Sequence, residues 1–161
     1  MPSDGYAQGV LKAYQGEVAG EALYRAAAEA TREPDHSYKF RALEQLEHET
    51  KVKLRGVLES LGESTEEPPE LRKAGDKLAD TLFADPDWCA AMGRYAEIIG
   101  PYVEEFERLE AEAPESHADV MAYLVAHERA QVTFAEREAK GDATTSIESV
   151  LVLLSNPPER R

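Results

Sequence analysis

Between Phe40 and Leu61 the chain reads FRALEQLEHETKVKLRGVLESL, and Phe40, Leu43, Leu54, Val57, Leu58 and Leu61 recur at three- and four-residue steps. That spacing lays one apolar stripe along a helix and commits the segment to burying it. Carried through its gap, the stripe crosses Glu47, with Glu44 and Thr50 beside it and His48 next in sequence. A carboxylate on a core face is costly to bury unless it is protonated, paired or bound to a cation. Glu47 is therefore where chemistry is first expected, and what balances it must come from elsewhere in the chain.

The flanking segments repeat the theme. From about Asp4 to Ala30, Val10, Tyr14 and Tyr24 define a helical band that also holds Glu17 and Glu21, and Gly20 beside them admits a neighbouring helix or ligand. TREPDHS, Thr31 to Ser37, breaks this first helix: Pro34 lacks a donor, and Asp35 or Ser37 can cap the second. The second helix should stop at Gly62, a left-handed cap. A polar loop to Pro69 and a short charged helix, Glu70 to Phe83, then form a connection long enough for a crossover, so that the third bundle helix runs parallel to the second. That third helix is expected from Pro86 to about Glu112, on an apolar face of Trp88, Met92, Tyr95, Ile99, Tyr102, Phe106 and Leu109, with a kink at Gly100-Pro101. After a break at Ala113 to His117, the fourth runs from about Ser116 to Lys140, and its inner stripe carries His127 and Gln131 between Leu124 and Phe134. Thr145 to Glu148 has the form of a capping box for a short C-terminal helix, about 145–155. The expectation is one all-α domain over 1–161, with its core bundle at about 4–141.

With 32 acidic against 18 basic residues the formal net charge is −14, which argues against nucleic acid or an anionic membrane as partner. The lone Cys89 excludes an internal disulfide and suits a reducing compartment. The N-terminus lacks the form of a signal peptide, and the longest aliphatic run, Val150 to Leu154, is too short to span a bilayer. A cytoplasmic protein is expected, with Cys89 as a small core residue and His36 and His117 exposed in the two interhelical breaks. No phosphate loop, nucleophile elbow, Cys-x-x-Cys pair or His-Glu-x-x-His motif is present.

The two halves align at an offset of 80, which matches Glu17 with Glu97, Gly20 with Gly100, Pro34 with Pro114 and Glu47 with His127. An offset of 79 instead matches Gly62 with Gly141 and His48-Glu49 with His127-Glu128. Either way, each half pairs a helix bearing an acid with a helix bearing an acid and imidazole cluster.

In this arrangement the chain resembles the ferritin-like superfamily, the rubrerythrin-type diiron and dimanganese carboxylate four-helix bundles. The resemblance covers Asp4 to Gly141 as architecture. The family's Glu-x-x-His signature is absent, since Gln45 precedes His48 and Leu124 precedes His127 at that spacing. The resemblance implies metal ligands at Glu17; at Glu47 with Glu44 or His48; at Glu97 or, past the kink, Glu104 or Glu105; and at His127 and Glu128. It also implies two iron or manganese ions and oxidation chemistry with dioxygen or peroxide on a small-molecule or metal substrate. Two other readings remain open at this level. One is a metal-free bundle serving as a structural or partner-binding module, such as a homodimer. The other is a pocket in which Glu47 and His127 act as acid and base on a small ligand.

Overall fold

A computed structural model describes residues 2–160, which form six α-helices and no strand. They are α1 (Asp4–Ala30), α2 (Pro34–Leu61), α3 (Pro69–Leu82), α4 (Trp88–Glu112), α5 (Ala118–Ala139) and α6 (Glu148–Leu151), with a 3-10 turn at Glu115–His117 before α5. Among the described residues no helix is long and apolar enough to cross a membrane. The all-α expectation holds.

Local signals explain most boundaries. Ser3 caps α1, its Oγ accepting from the Tyr6 amide at 3.1 Å, and Asp87 caps α4 through the Ala90 amide at 3.0 Å. Gly62 closes α2 at φ 72°, where a Cβ would be strained. Pro34 opens α2 as its first helical residue, so Asp35 and Ser37 lie inside the first turn and do not cap it. α4 passes through Pro101 as one continuous helix. The C-terminal helix is a single turn, because Thr145 is held by Asp142 through both its amide (3.1 Å) and its hydroxyl (2.6 Å) and stays in the preceding turn.

Contacts at the two ends fix the helix directions. At one end the His36 ring near the start of α2 stacks on Trp88 at the start of α4, with centroids 3.5 Å apart. At the other, His117 bonds Ser60 near the end of α2 at 2.9 Å and Tyr6 near the start of α1 at 3.1 Å. There too Gly9 of α1 lies against Leu109 near the end of α4. α4 therefore runs in the same direction as α2, and α3 carries the chain back along α1. Gly75 makes this possible, since a Cβ there would sit 2.1 Å from the Ala19 carbonyl oxygen. His117, expected in solvent, is buried because it links three elements at this end. Cys89, expected in the core, is exposed on the first turn of α4.

The core divides in two. One apolar cluster holds Tyr24, Phe40, Leu43, Leu46, Met92 and Phe134, and the other Tyr14, Leu54, Leu58, Phe106, Met121 and Leu124. Between them the inner stripes of α1, α2 and α5 turn polar, which is the gap in the Phe40 to Leu61 pattern. Beyond the first cluster, fully buried Lys39 satisfies its ammonium with Glu138 (2.5 Å), Asp35 (2.7 Å) and the Ala143 carbonyl (2.8 Å). Glu138 also accepts from Trp88 Nε1 at 2.6 Å and Ser146 Oγ at 2.5 Å, which ties α2, α4, α5 and the Asp142 turn together.

Removing one side of such a pair strands a buried charge, so Glu138→Ala should lower unfolding stability by about 3 kcal/mol or more. Asp35, half exposed, should cost under about 1 kcal/mol when changed to alanine. Urea unfolding of both variants checks this, and equal losses would contradict it.

Candidate metal centre

In the polar layer, α1 contributes Glu17, α2 contributes Glu47 and Thr50, and α5 contributes His127, Glu128 and Gln131, all buried. Glu17 is 2% exposed, Glu47 4% and His127 1%. His127 Nε2 lies 3.4 Å from Glu47 Oε1 and 3.6 Å from Glu17 Oε2. One ligand atom from each of the three falls within 4.8 Å of the others.

The protonation of His127 follows from its neighbour. Thr50 Oγ1 donates its only hydrogen to the Leu46 carbonyl at 2.8 Å, so at 2.6 Å from His127 Nδ1 it must accept. The Nδ1 therefore carries hydrogen, and in the neutral ring Nε2 presents a bare lone pair to two carboxylate oxygens. Glu47 Oε1 also accepts from the Gln131 amide. Glu17 Oε2 has no hydrogen-bond partner at all. Three acceptors face one another, and only a cation or protons can reconcile them.

The acid–base properties report the same deficit of positive charge. Burial first, then the Glu47 carboxylate beside it, holds the Glu17 carboxyl well above its ordinary range. Burial, reinforced by Glu47 and opposed by His127, pushes Glu128 up to about 7. For His127, burial works against the charged ring, but the charge and hydrogen bond of Glu47, with Glu128 and Gln131 behind them, outweigh it together and the net shift is upward. Tyr95 of α4, hydrogen-bonded to Tyr24, is raised well above the usual phenol range by burial and then by Glu47.

Four of the six residues expected as ligands thus come together: Glu17, Glu47, His127 and Glu128. Two do not. His48 follows Glu47 by one residue, a rotation of about 100°, so its side chain is 52% exposed and bonds Glu21 at 3.0 Å outside the layer. Glu97 is exposed on α4, which turns Tyr95 and Ile99 inward and keeps Glu97 and Glu104 in solvent. Glu105 pairs with Lys12 at 3.0 Å, and Glu44 with Arg25 at 2.8 Å. Thr50 and Gln131 join the site although neither was expected as a ligand. They stand three residues after Glu47 and Glu128 on matching helices, at an offset of 81, and that spacing is the sequence signal for them.

Gly20 makes room for the layer, since a Cβ there would lie 2.4 Å from Glu47 Oε2. A cleft of about 390 Å³ between α1, α3 and α4 reaches the site, with Glu17, Glu47, His127, Glu128 and Gln131 along its inner wall. No family model, no curated protein and no solved structure matches this chain.

The raised Glu128 makes a signed prediction for metal-free protein. Below about pH 4.5 its carboxyl is protonated in folded and unfolded chains alike, and its burial is not opposed by ionisation. As pH rises towards 7 the unfolded chain ionises first, so stability falls, and above 7 the loss is complete. Relative to the native chain, Glu128→Gln should therefore gain about 3 kcal/mol at pH 8 over its relative stability at pH 4. Urea unfolding at both pH values checks this, and a difference independent of pH would contradict it.

Proposed function

We propose that the chain is a ferritin-like metal-binding protein in which Glu17, Glu47 and His127 hold one iron or manganese ion for oxidation chemistry with dioxygen or peroxide. The observation that carries this reading is the spacing of the three acceptors. Ligands about 2.1 Å from one ion stand about 3.0 Å apart in an octahedron and about 3.4 Å apart in a tetrahedron. The 3.4 and 3.6 Å separations fit that pattern. They are long for a charge-assisted hydrogen bond, which closes to about 2.7–2.9 Å. The helix directions agree with a ferritin-like topology, with α3 as the crossover.

The roles of the surrounding residues follow. Glu17 and Glu47 balance the charge of a divalent ion and His127 completes its donor set. Thr50 fixes the ring so that Nε2 faces the ion, the kind of support that sets ligand basicity. Gln131 orients Glu47, and Glu128 adds negative charge beside the ligands. Bound there, iron or manganese would supply one-electron redox chemistry. The donor set suits a single ion, because α4 brings no carboxylate for a second.

That same feature of α4 favours a second reading, a metal-free bundle whose polar layer holds protons and whose function lies in its partners. Elemental analysis of protein expressed with iron and manganese separates the two. The first reading predicts near one equivalent per chain, falling to about a tenth or less in His127→Ala and Glu47→Ala. Gly20→Ala should also deplete the ion at little cost to folding, by pushing Glu47 aside. Metal below about a tenth of an equivalent in the native chain, unchanged by these substitutions, would leave the metal-free reading.

A further inference from the structure

The walls of the cleft differ in character from its floor. Leu71, Ala74 and Leu78 of α3 face Ile98, Ile99 and Tyr102 of α4 across it, the Lys12–Glu105 ion pair also lines it, and Glu17, Glu47, Glu128 and His127 lie at its inner end. Leu78, Ile98 and Tyr102 are 36%, 45% and 41% exposed, three of the five large apolar side chains most open to solvent among the described residues. Exposed apolar residues scattered singly need no explanation, but a group gathered at one mouth does. A volume of about 390 Å³ is also at the lower end of small-molecule sites, which run from about 300 to 1,000 Å³.

Gly16 also lines the cleft. A glycine inside a helix costs about 1 kcal/mol relative to alanine. Gly20 and Gly75, which also line the cleft, are explained by close neighbours. At Gly16, which is exposed, a Cβ would meet nothing within 4 Å, as at Gly56 and Gly100 outside the cleft. A side chain at Gly16 would enter the open space of the cleft beside Glu17.

We propose that this cleft binds a small, uncharged, mainly apolar molecule with one polar head, of the alkylphenol class, and directs the head to Glu17, Glu47 and His127. The apolar walls favour the body of such a ligand. In the chelated chain the acidic floor of Glu17, Glu47 and Glu128 disfavours an anionic head, and the Glu47 carboxylate accepts a hydroxyl donor. The direction of the head group rests on the metal-centre reading, whereas filling of the cleft does not. The cleft thereby names the substrate class of the site.

The test is calorimetric titration of 4-ethylphenol into the full chain, metal-loaded and after chelation, with metal content read on the same samples. Saturable binding of one molecule per chain is expected. Gly16→Leu, whose Cβ would meet nothing within 4 Å, should weaken binding about tenfold or more, and its metal content should stay unchanged. Ile98→Glu, a surface change at the mouth, should weaken it as well and serves should Gly16→Leu fold poorly. To the chelated chain, 4-ethylbenzoate should bind about tenfold more weakly than the phenol. Absence of saturable binding in both metal states overturns the proposal, as does binding indifferent to the folded variants or, in the chelated chain, equal for the benzoate. Metal retained without phenol binding removes the substrate assignment alone. Phenol binding by protein that takes up no metal on loading removes the metal-centre reading and leaves the cleft as a ligand site.

Discussion

The interior is organised around three buried acceptors, the Nε2 of a neutral His127 and the carboxylates of Glu17 and Glu47, which only a cation or protons can reconcile. Thr50 fixes this by spending its hydroxyl hydrogen on the Leu46 carbonyl, so that His127 keeps its hydrogen on Nδ1 and turns Nε2 inward. An uncompensated buried carboxylate costs several kcal/mol. A chain can hold two around one point only if the rest of its core is well packed. The apolar clusters on either side of the layer provide that, with Tyr14, Leu43, Leu46, Leu54, Leu58 and Phe134 essentially inaccessible to solvent.

The other buried acids show how this chain treats charge when it serves structure. Glu138 is met by Lys39, Trp88 and Ser146. Glu21 is met by Lys51 at 3.0 Å, Arg72 at 3.3 Å and His48 at 3.0 Å, and the two cations also hold Glu67 of the interhelical loop at 2.8 and 2.6 Å. Burial would raise the Glu67 carboxyl, but its bonds to Lys51 and Arg72 hold it down at about 2. Glu17, one turn before Glu21 on α1, meets no lysine or arginine and faces only His127 Nε2, at 3.6 Å. The contrast within a single helix separates an acid clamped by three side chains from an acid that no lysine or arginine meets.

Much of this was legible in the sequence. Period alone placed Glu17, Glu47 and His127 on inner faces, and Gly20 marked a close approach that proves to be the Glu47 carboxylate. Glu97 was drawn in by a repeat offset that matched glycine and proline breaks. The helices of the second half are rotated relative to that alignment, and Tyr95 takes the inward position on α4. His48 was drawn in by adjacency to Glu47, but on a helix adjacent residues point in different directions. Burial of His117 depends on Tyr6 and Ser60, distant in sequence, so no local pattern announces it. The cleft was equally invisible, because it exists only where α3 and α4 flank α1. Thr50 and Gln131 were within reach, since each follows a site glutamate by three residues.

The most direct measurement is a crystal structure of manganese-loaded protein with anomalous data collected at the manganese edge. The account predicts one anomalous peak in the polar layer, about 2.0–2.3 Å from His127 Nε2, Glu17 Oε2 and Glu47 Oε1. Manganese found only on surface acids, with Glu17 and Glu47 closed on each other through a shared proton, would contradict it.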